Sequence, residues 1–204
     1  MNSTEKFWNR VADRSGNTPG KTALKTIALT KAYLKAGDMV LDFGCGSGGI
    51  TNPLAKEVRH IDAIDISAKM IANARGNADK LGLQNISYQQ AELTVTDEKN
   101  YDVIVSFNVL HYINNLETEL RKVSGLLKPN GLFISSTVCL KEGITPARIL
   151  MYVLSKTGLV PKTVFYTKNT LESLIQEAGF TIANSVKISN LNEYFIVAKK
   201  AGNE

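Results

Sequence analysis

The stretch VLDFGCGSGGIT, residues 40–51, restricts the fold more than any other part of the chain. An apolar run, MVLDF at residues 39–43, ends at Gly44, and Gly46, Gly48 and Gly49 follow before a helix candidate. A strand that enters such a turn needs glycines for its tight backbone path. The turn leaves backbone N–H groups and a helix N-terminus facing whatever binds there. In open α/β sheets this crevice lies at the carboxyl ends of the strands.

The rest of the chain repeats the strand–helix alternation. HIDAID (60–65) reads as a second strand. SAKMIANARGNADKLG follows, with Ser67 as cap, Met70, Ile71, Ala74, Ala78 and Leu81 as the apolar face, and Gly82 as the stop. NISYQQ (85–90) is a third strand. YDVIVSF (101–107) is a fourth, with a continuous apolar run that fits a strand covered on both faces. NNLETELRKVSGLLKPNG predicts a helix with Leu116, Leu120, Val123 and Leu127 on one face, acids early and bases late. Pro129, Asn130 and Gly131 turn the chain into LFISST, the fifth strand.

The carboxyl end changes pattern. NTLESLIQEAGF predicts a helix capped by Asn169, with Glu172 returning the bond and Gly179 closing the end. TIANSVKI and EYFIVAKK are then joined by only SNLN, so they pair antiparallel. The expected fold class is α/β: a doubly wound, mostly parallel seven-stranded sheet, helices on both faces, and a C-terminal antiparallel hairpin strand.

At 204 residues the chain fits a single domain, 1–204. Residues 1–35 form a helical N-terminal segment, and 138–168 exceed a plain connection. Hydrophobic residues make up 44% and charged residues 21%, which excludes a disordered chain. The net charge is +5, but the lysines are dispersed. In residues 21–35, the densest stretch, Leu24, Ile27, Ala28 and Leu34 lie at helical spacing, leaving the lysines a wet face. This does not point to a nucleic-acid partner. Cys45 and Cys139 form no C-x-x-C pair, so no metal or disulfide framework is expected. With neither a membrane span nor a signal-type start, the expected localisation is cytoplasmic.

The glycine loop fits two ligand fingerprints. Gly44, Gly46 and Gly49 match the G-x-G-x-x-G of nicotinamide cofactors. Asp42, Gly44, Gly46 and Gly48 match D-x-G-x-G-x-G, which suits S-adenosylmethionine. A carboxylate at the strand end opposes a pyrophosphate and favours a cationic ligand. Asp65, ending the second strand, can accept hydrogen bonds from ribose hydroxyls and serves either cofactor.

With these motifs in order, the chain resembles the seven-stranded Rossmann-like S-adenosylmethionine-dependent methyltransferases, particularly the small-molecule group of ubiquinone and menaquinone biosynthesis. VLDFGCGSG, IDAIDIS, AELTV, YDVIVSFNVLHYI, LLKPNGLFISST, LIQEAGF and EYFIVAKK carry the resemblance. It implies that Gly44, Gly46 and Gly48, with Cys45 in the same loop, line the methionine part, and that Asp42 holds its amino group. Asp65 would bind the ribose, Ile66 and Met70 one side of the adenine, and Glu92 and Leu93 its edge and other face. Glu92 stands where aspartate is usual. Asn108 and Val109 would border the methyl group.

Methyl transfer is an in-line displacement in which positioning supplies much of the rate. His111 follows the fourth strand and is a candidate base or orienting group, or else a packed histidine. Tyr112 stands beside it. In the insertion, Thr145 can cap a helix begun by Pro146 and stopped by Gly158. Its apolar middle packs in a core or, with Met151, Tyr152, Leu154, Phe165 and Tyr166, walls a substrate pocket. Phe7 and Trp8 are candidate lid residues, or anchors of a first helix. The expected activity is methyl transfer to O, C or N of a small, partly apolar molecule. A non-catalytic cofactor-binding regulator and an RNA or DNA methyltransferase are alternatives, the latter weakened by FNVLHY standing where N-P-P-Y would be. No metal is expected, and a monomer or homodimer is compatible with the sequence.

Overall fold

A computed structural model describes residues 3–13, 19–93, 100–143 and 146–202. Seven strands form one sheet: β1 (Met39–Phe43), β2 (His60–Asp65), β3 (Ile86–Gln90), β4 (Tyr101–Phe107), β5 (Leu127–Val138), β6 (Phe180–Lys187) and β7 (Glu193–Lys200). The helices are α1 (Ser3–Ala12), α2 (Lys21–Lys31), α3 (Thr51–Ala55), α4 (Ala68–Lys80), α5 (Leu116–Leu126), α6 (Pro146–Lys156) and α7 (Lys168–Glu177). A 3-10 turn spans Leu110–Tyr112.

The strand order is β3-β2-β1-β4-β5-β7-β6. The first five strands are parallel; β7 runs antiparallel to both β5 and β6. Sequential strands on either side of β1 run outward in opposite directions, so the order reverses between β1 and β4. That switch opens a crevice at the strands' carboxyl ends.

Period-two alternation sends neighbouring side chains to opposite faces. Val40, Ile61, Val103, Val105, Ile134, Phe195 and Val197 pack with Leu54, Ile71, Ala74 and Ala78 of α3 and α4. Leu41, Ile104, Phe133, Ile196 and Ala198 pack with Leu116, Leu120, Val123, Leu171 and Ile175 of α5 and α7. Burial on both faces explains the nearly continuous apolar runs of β4 and β7.

Several local expectations shift. In α2 the inward side is Thr26, Ile27 and Thr30, while Leu24 is 55% exposed and Ala28 is also exposed. The Thr30 hydroxyl donates to the Thr26 carbonyl at 2.8 Å, so Thr30 carries no unpaired hydroxyl inward. Leu81 follows the last residue of α4 as its C-cap, and there it is 58% exposed. Leu127 is buried, but it begins β5 rather than continuing α5. Thr167, not Asn169, caps α7: its hydroxyl accepts from Thr170 N at 3.1 Å, and Glu172 pairs with Lys168 at 2.9 Å. The Ser67 cap of α4 forms as read, accepting from Met70 N at 3.1 Å. Thr145 lies outside the described residues. Among those described, no helix is long and apolar enough to cross a membrane.

Candidate cofactor site

The glycine loop is tied to the end of β2. Gly44 N and Cys45 N both donate to the Ile64 carbonyl, at 2.8 and 3.0 Å. Gly46 N donates to Asp65 Oδ2 at 3.0 Å, and Ser67 N to Asp65 Oδ1 at 2.8 Å. Each Asp65 oxygen therefore accepts one backbone hydrogen bond and keeps lone-pair capacity for another donor. Burial holds the Asp65 carboxyl above its ordinary pKa, opposed by those two bonds.

Neighbouring side chains exclude a Cβ at two positions of this loop. Gly44 has φ +83°, and a Cβ there would run into the Val109 side chain. Gly48 has φ +80°, and its Cβ would come within 2.7 Å of the Tyr88 hydroxyl, which donates to Asn52 Oδ1. Gly46 also holds a positive φ, +54°, which strains a side chain there although its Cβ would meet nothing within 4 Å.

A cavity of about 320 Å³ opens at this point. Gly44, Gly46, Asp65, Ile66, Met70, Asn108 and Val109 line it, together with Trp8 and Tyr112. The sequence reading missed Thr4, Phe43, Ala91, Phe107 and Ile113, which also line it. Phe43 and Phe107 end β1 and β4, so strand ends flanking the order reversal were the available signal. α1 forms the roof. Trp8 meets Tyr112 edge to face at 5.2 Å and Phe7 likewise at 5.0 Å. Asn9 Oδ1 accepts from Ser67 Oγ at 2.7 Å, and Asn73 donates to the Ala12 carbonyl at 3.0 Å, fixing α1 on α4.

Other sequence-predicted residues stand outside the lining. Asp42 is buried beneath the loop and accepts from Thr51 Oγ1 at 2.6 Å. Burial pushes its pKa up to about 7, eased by the Thr51 bond and reinforced by the Asp65 charge. Cys45 is buried, and burial holds its thiol well above the usual pKa, which disfavours a thiolate. Gly48 faces Tyr88 rather than the cavity. Glu92 is exposed at a shallow groove with Glu5 and Gln90, and Leu93 is buried in the core of the α5 face; Ala91 takes the cavity position.

His111 is buried behind Tyr112, with ring centroids 4.1 Å apart. Its Nδ1 has no hydrogen-bond partner among the described residues, and burial lowers its pKa to about 4. The ring is thus neutral near pH 7. The insertion's candidate substrate residues lie elsewhere than this cavity. Met151, Tyr152, Leu154, Phe165 and Tyr166 are absent from its lining. Tyr166 is buried in the core of the α5 face, and Tyr152 is exposed, its ring 6.3 Å from that of Phe165. Among the described residues no three His, Cys, Asp or Glu side chains converge to hold a metal ion.

A crevice at the switch point, a glycine turn and a ribose-competent carboxylate define a Rossmann-like nucleotide-binding α/β protein. The model of one such family, described as a methyltransferase domain, matches residues 34–179, and the chain belongs to that family. It is 32% identical over 142 residues to the ubiquinone biosynthesis O-methyltransferase of Rickettsia felis, covering 68% of this chain and 57% of that protein. It is 35% identical over 130 residues to the ribosomal protein L11 methyltransferase of Dictyoglomus thermophilum, covering 63% and 41%. The chain thus spans roughly half the length of these relatives. Among solved structures, magnesium protoporphyrin IX methyltransferase from Synechocystis with bound SAM superimposes with a TM-score of 0.66 at 20% identity, covering 87% of this chain and 79% of that one. An S-adenosylmethionine-dependent methyltransferase from Clostridium acetobutylicum gives 0.69 at 17% identity, covering 91% and 93%. These two likenesses show a shared fold.

Proposed function

We propose that the chain is an S-adenosylmethionine-dependent methyltransferase acting on O, C or N of a small, partly apolar molecule. The observation that carries this reading is the match of residues 34–179 to the methyltransferase-domain family, joined to an Asp65 carboxylate clamped by Gly46 N and Ser67 N at an aromatic-walled cavity. The cofactor supplies an activated methyl group on a sulfonium, which leaves as a neutral thioether. The protein's part is to bind, orient and exclude water.

Asp65 accepts from the ribose hydroxyls with the lone pairs that the loop leaves free. Ile66 and Met70 provide an apolar flank for the adenine, and the Gly44–Gly46 backbone receives the amino-acid tail. Asp42 acts on that tail's ammonium through the loop, as a buried countercharge. Trp8, Phe43, Phe107 and Tyr112 give electron-rich walls suited to a cation. Residues 1–35 contribute the lid, with Phe7 supporting Trp8. His111, neutral and packed behind Tyr112, is a positioning residue that holds this wall.

The acceptor is a small molecule rather than nucleic acid, since lysines are dispersed and the post-β4 segment lacks the N-P-P-Y turn. The protein works in the cytoplasm, as a monomer or homodimer. Titration with S-adenosylmethionine, S-adenosylhomocysteine and NADH tests the cofactor. The expected result is binding of both methionine ligands and not of NADH; the reverse would overturn the reading. Methyl transfer is then followed as S-adenosylhomocysteine release over a panel of phenols, amines and carbon acids.

A further inference from the structure

Helix α6 has its polarity reversed. The outward-facing Ile149, Leu150, Tyr152 and Val153 are 55, 58, 53 and 50% exposed. Met151, Leu154 and Ser155 are the half-buried positions, and Ser155 Oγ accepts from Thr163 N at 3.1 Å. At the helical repeat the outward residues, with Lys156 and Thr157, fall within one sector of roughly 160°. Leu159, 63% exposed, continues the surface beyond the helix end. A contiguous apolar patch of this kind marks a surface that meets a partner.

Charge identifies the partner. Residues 143–171 contain Arg148, Lys156, Lys162 and Lys168 and no Asp or Glu. Lys156 and Lys162 are exposed, and neither has a carboxylate partner among the described residues. Lys156 Nζ lies 5.7 Å from the Tyr152 ring centroid, so a cation sits at the margin of the apolar sector. Two copies apposed through this face would bring like charges together. An anionic bilayer complements both parts of it.

We propose that α6 and the turn after it form a docking face for an anionic lipid surface. The helix lies in the interface plane, its apolar sector at the acyl boundary and its lysines among the headgroups. At eleven residues it is too short to span. The face is also linked to the cofactor cavity. Val164 N donates to the His111 carbonyl at 2.8 Å, and the next residue, Tyr112, lines the cavity. The proposal is independent of the methyl-transfer reading.

The test is co-sedimentation of the full chain with phosphatidylglycerol vesicles and with phosphatidylcholine vesicles. Phosphatidylglycerol should bind the protein, phosphatidylcholine should bind it on the order of tenfold more weakly, and added salt should release it. Val153→Asp and Ile149→Asp should each lower partitioning on the order of tenfold, and Lys162→Ala about fivefold. Lys162→Ala leaves the apolar face untouched, so the idea stays testable if an aspartate variant misfolds. Circular dichroism and thermal melting of each variant report whether it is folded. No partitioning into phosphatidylglycerol, or equal partitioning of wild type and variants, would overturn the proposal. So would a lipid-free dimer that Val153→Asp converts to monomer, which would assign the face to a second copy.

Discussion

Replacing Asp65 by alanine tests the cofactor site at its centre. In the folded chain the carboxylate accepts from Gly46 N and Ser67 N at 3.0 and 2.8 Å, leaving further acceptor capacity on each oxygen. A net hydrogen bond to a charged group contributes about 1.5–3 kcal/mol. Two ribose hydroxyls would therefore lose about 3–6 kcal/mol. Water entering the vacated space offsets part of this, so the lower end applies: about 3 kcal/mol, or roughly a hundredfold in Kd. The ribose is common to S-adenosylmethionine and S-adenosylhomocysteine, so both should weaken by the same factor. Isothermal titration of both ligands measures this, with circular dichroism confirming that the variant is folded. The variant should also unfold earlier, because two backbone donors lose their acceptor. A change in Kd below about threefold would refute the ribose assignment. Weakening of S-adenosylmethionine alone would show that Asp65 senses the sulfonium charge instead.

Further predictions concern the loop and the roof. Gly44→Ala must hold φ near +83° and push against Val109, so its thermal midpoint should fall by roughly 5–10 °C. Gly44→Ala combined with Val109→Ala should recover part of that loss, and no recovery would mean that backbone strain alone is responsible. Asp42 has a folded pKa of about 7 against an ordinary 3.8. Its contribution to stability is present below the ordinary value and lost as pH rises through about 7, because the charged form is the one that burial penalises. Melting of the ligand-free protein across this range should show that decline, and Asp42→Asn should flatten it; an unchanged slope would assign the titration elsewhere. Trp8→Ala removes two edge-to-face ring contacts, each of about 0.5–1.5 kcal/mol. It should weaken cofactor binding about tenfold and abolish cofactor protection of the amino-terminal segment from limited proteolysis.

What the sequence determined by itself was the part of the protein governed by local rules. Short apolar runs placed β1, β2, β4 and the closing hairpin, and the glycines located the turn at the end of β1. Ser67 and Gly82 bracketed α4, because capping and left-handed geometry act over a few residues. The short SNLN link dictated antiparallel pairing of β6 and β7; that β7 would insert beside β5 was a matter of sheet assembly. Asp65 was legible as a strand-end acid, while the clamp from Gly46 and Ser67 depends on two loops meeting.

Tertiary structure decided the rest. Gly44 and Gly48 share one motif, yet one accommodates Val109 and the other Tyr88, side chains distant in sequence. Phe43 and Phe107 became cavity walls only when β1 and β4 paired at the order reversal. The apolar middle of the insertion was plain in the sequence. Periodicity reports that a face is apolar, not what covers it: α1 took the roof of the cavity, and α6 was left with its apolar sector turned outward.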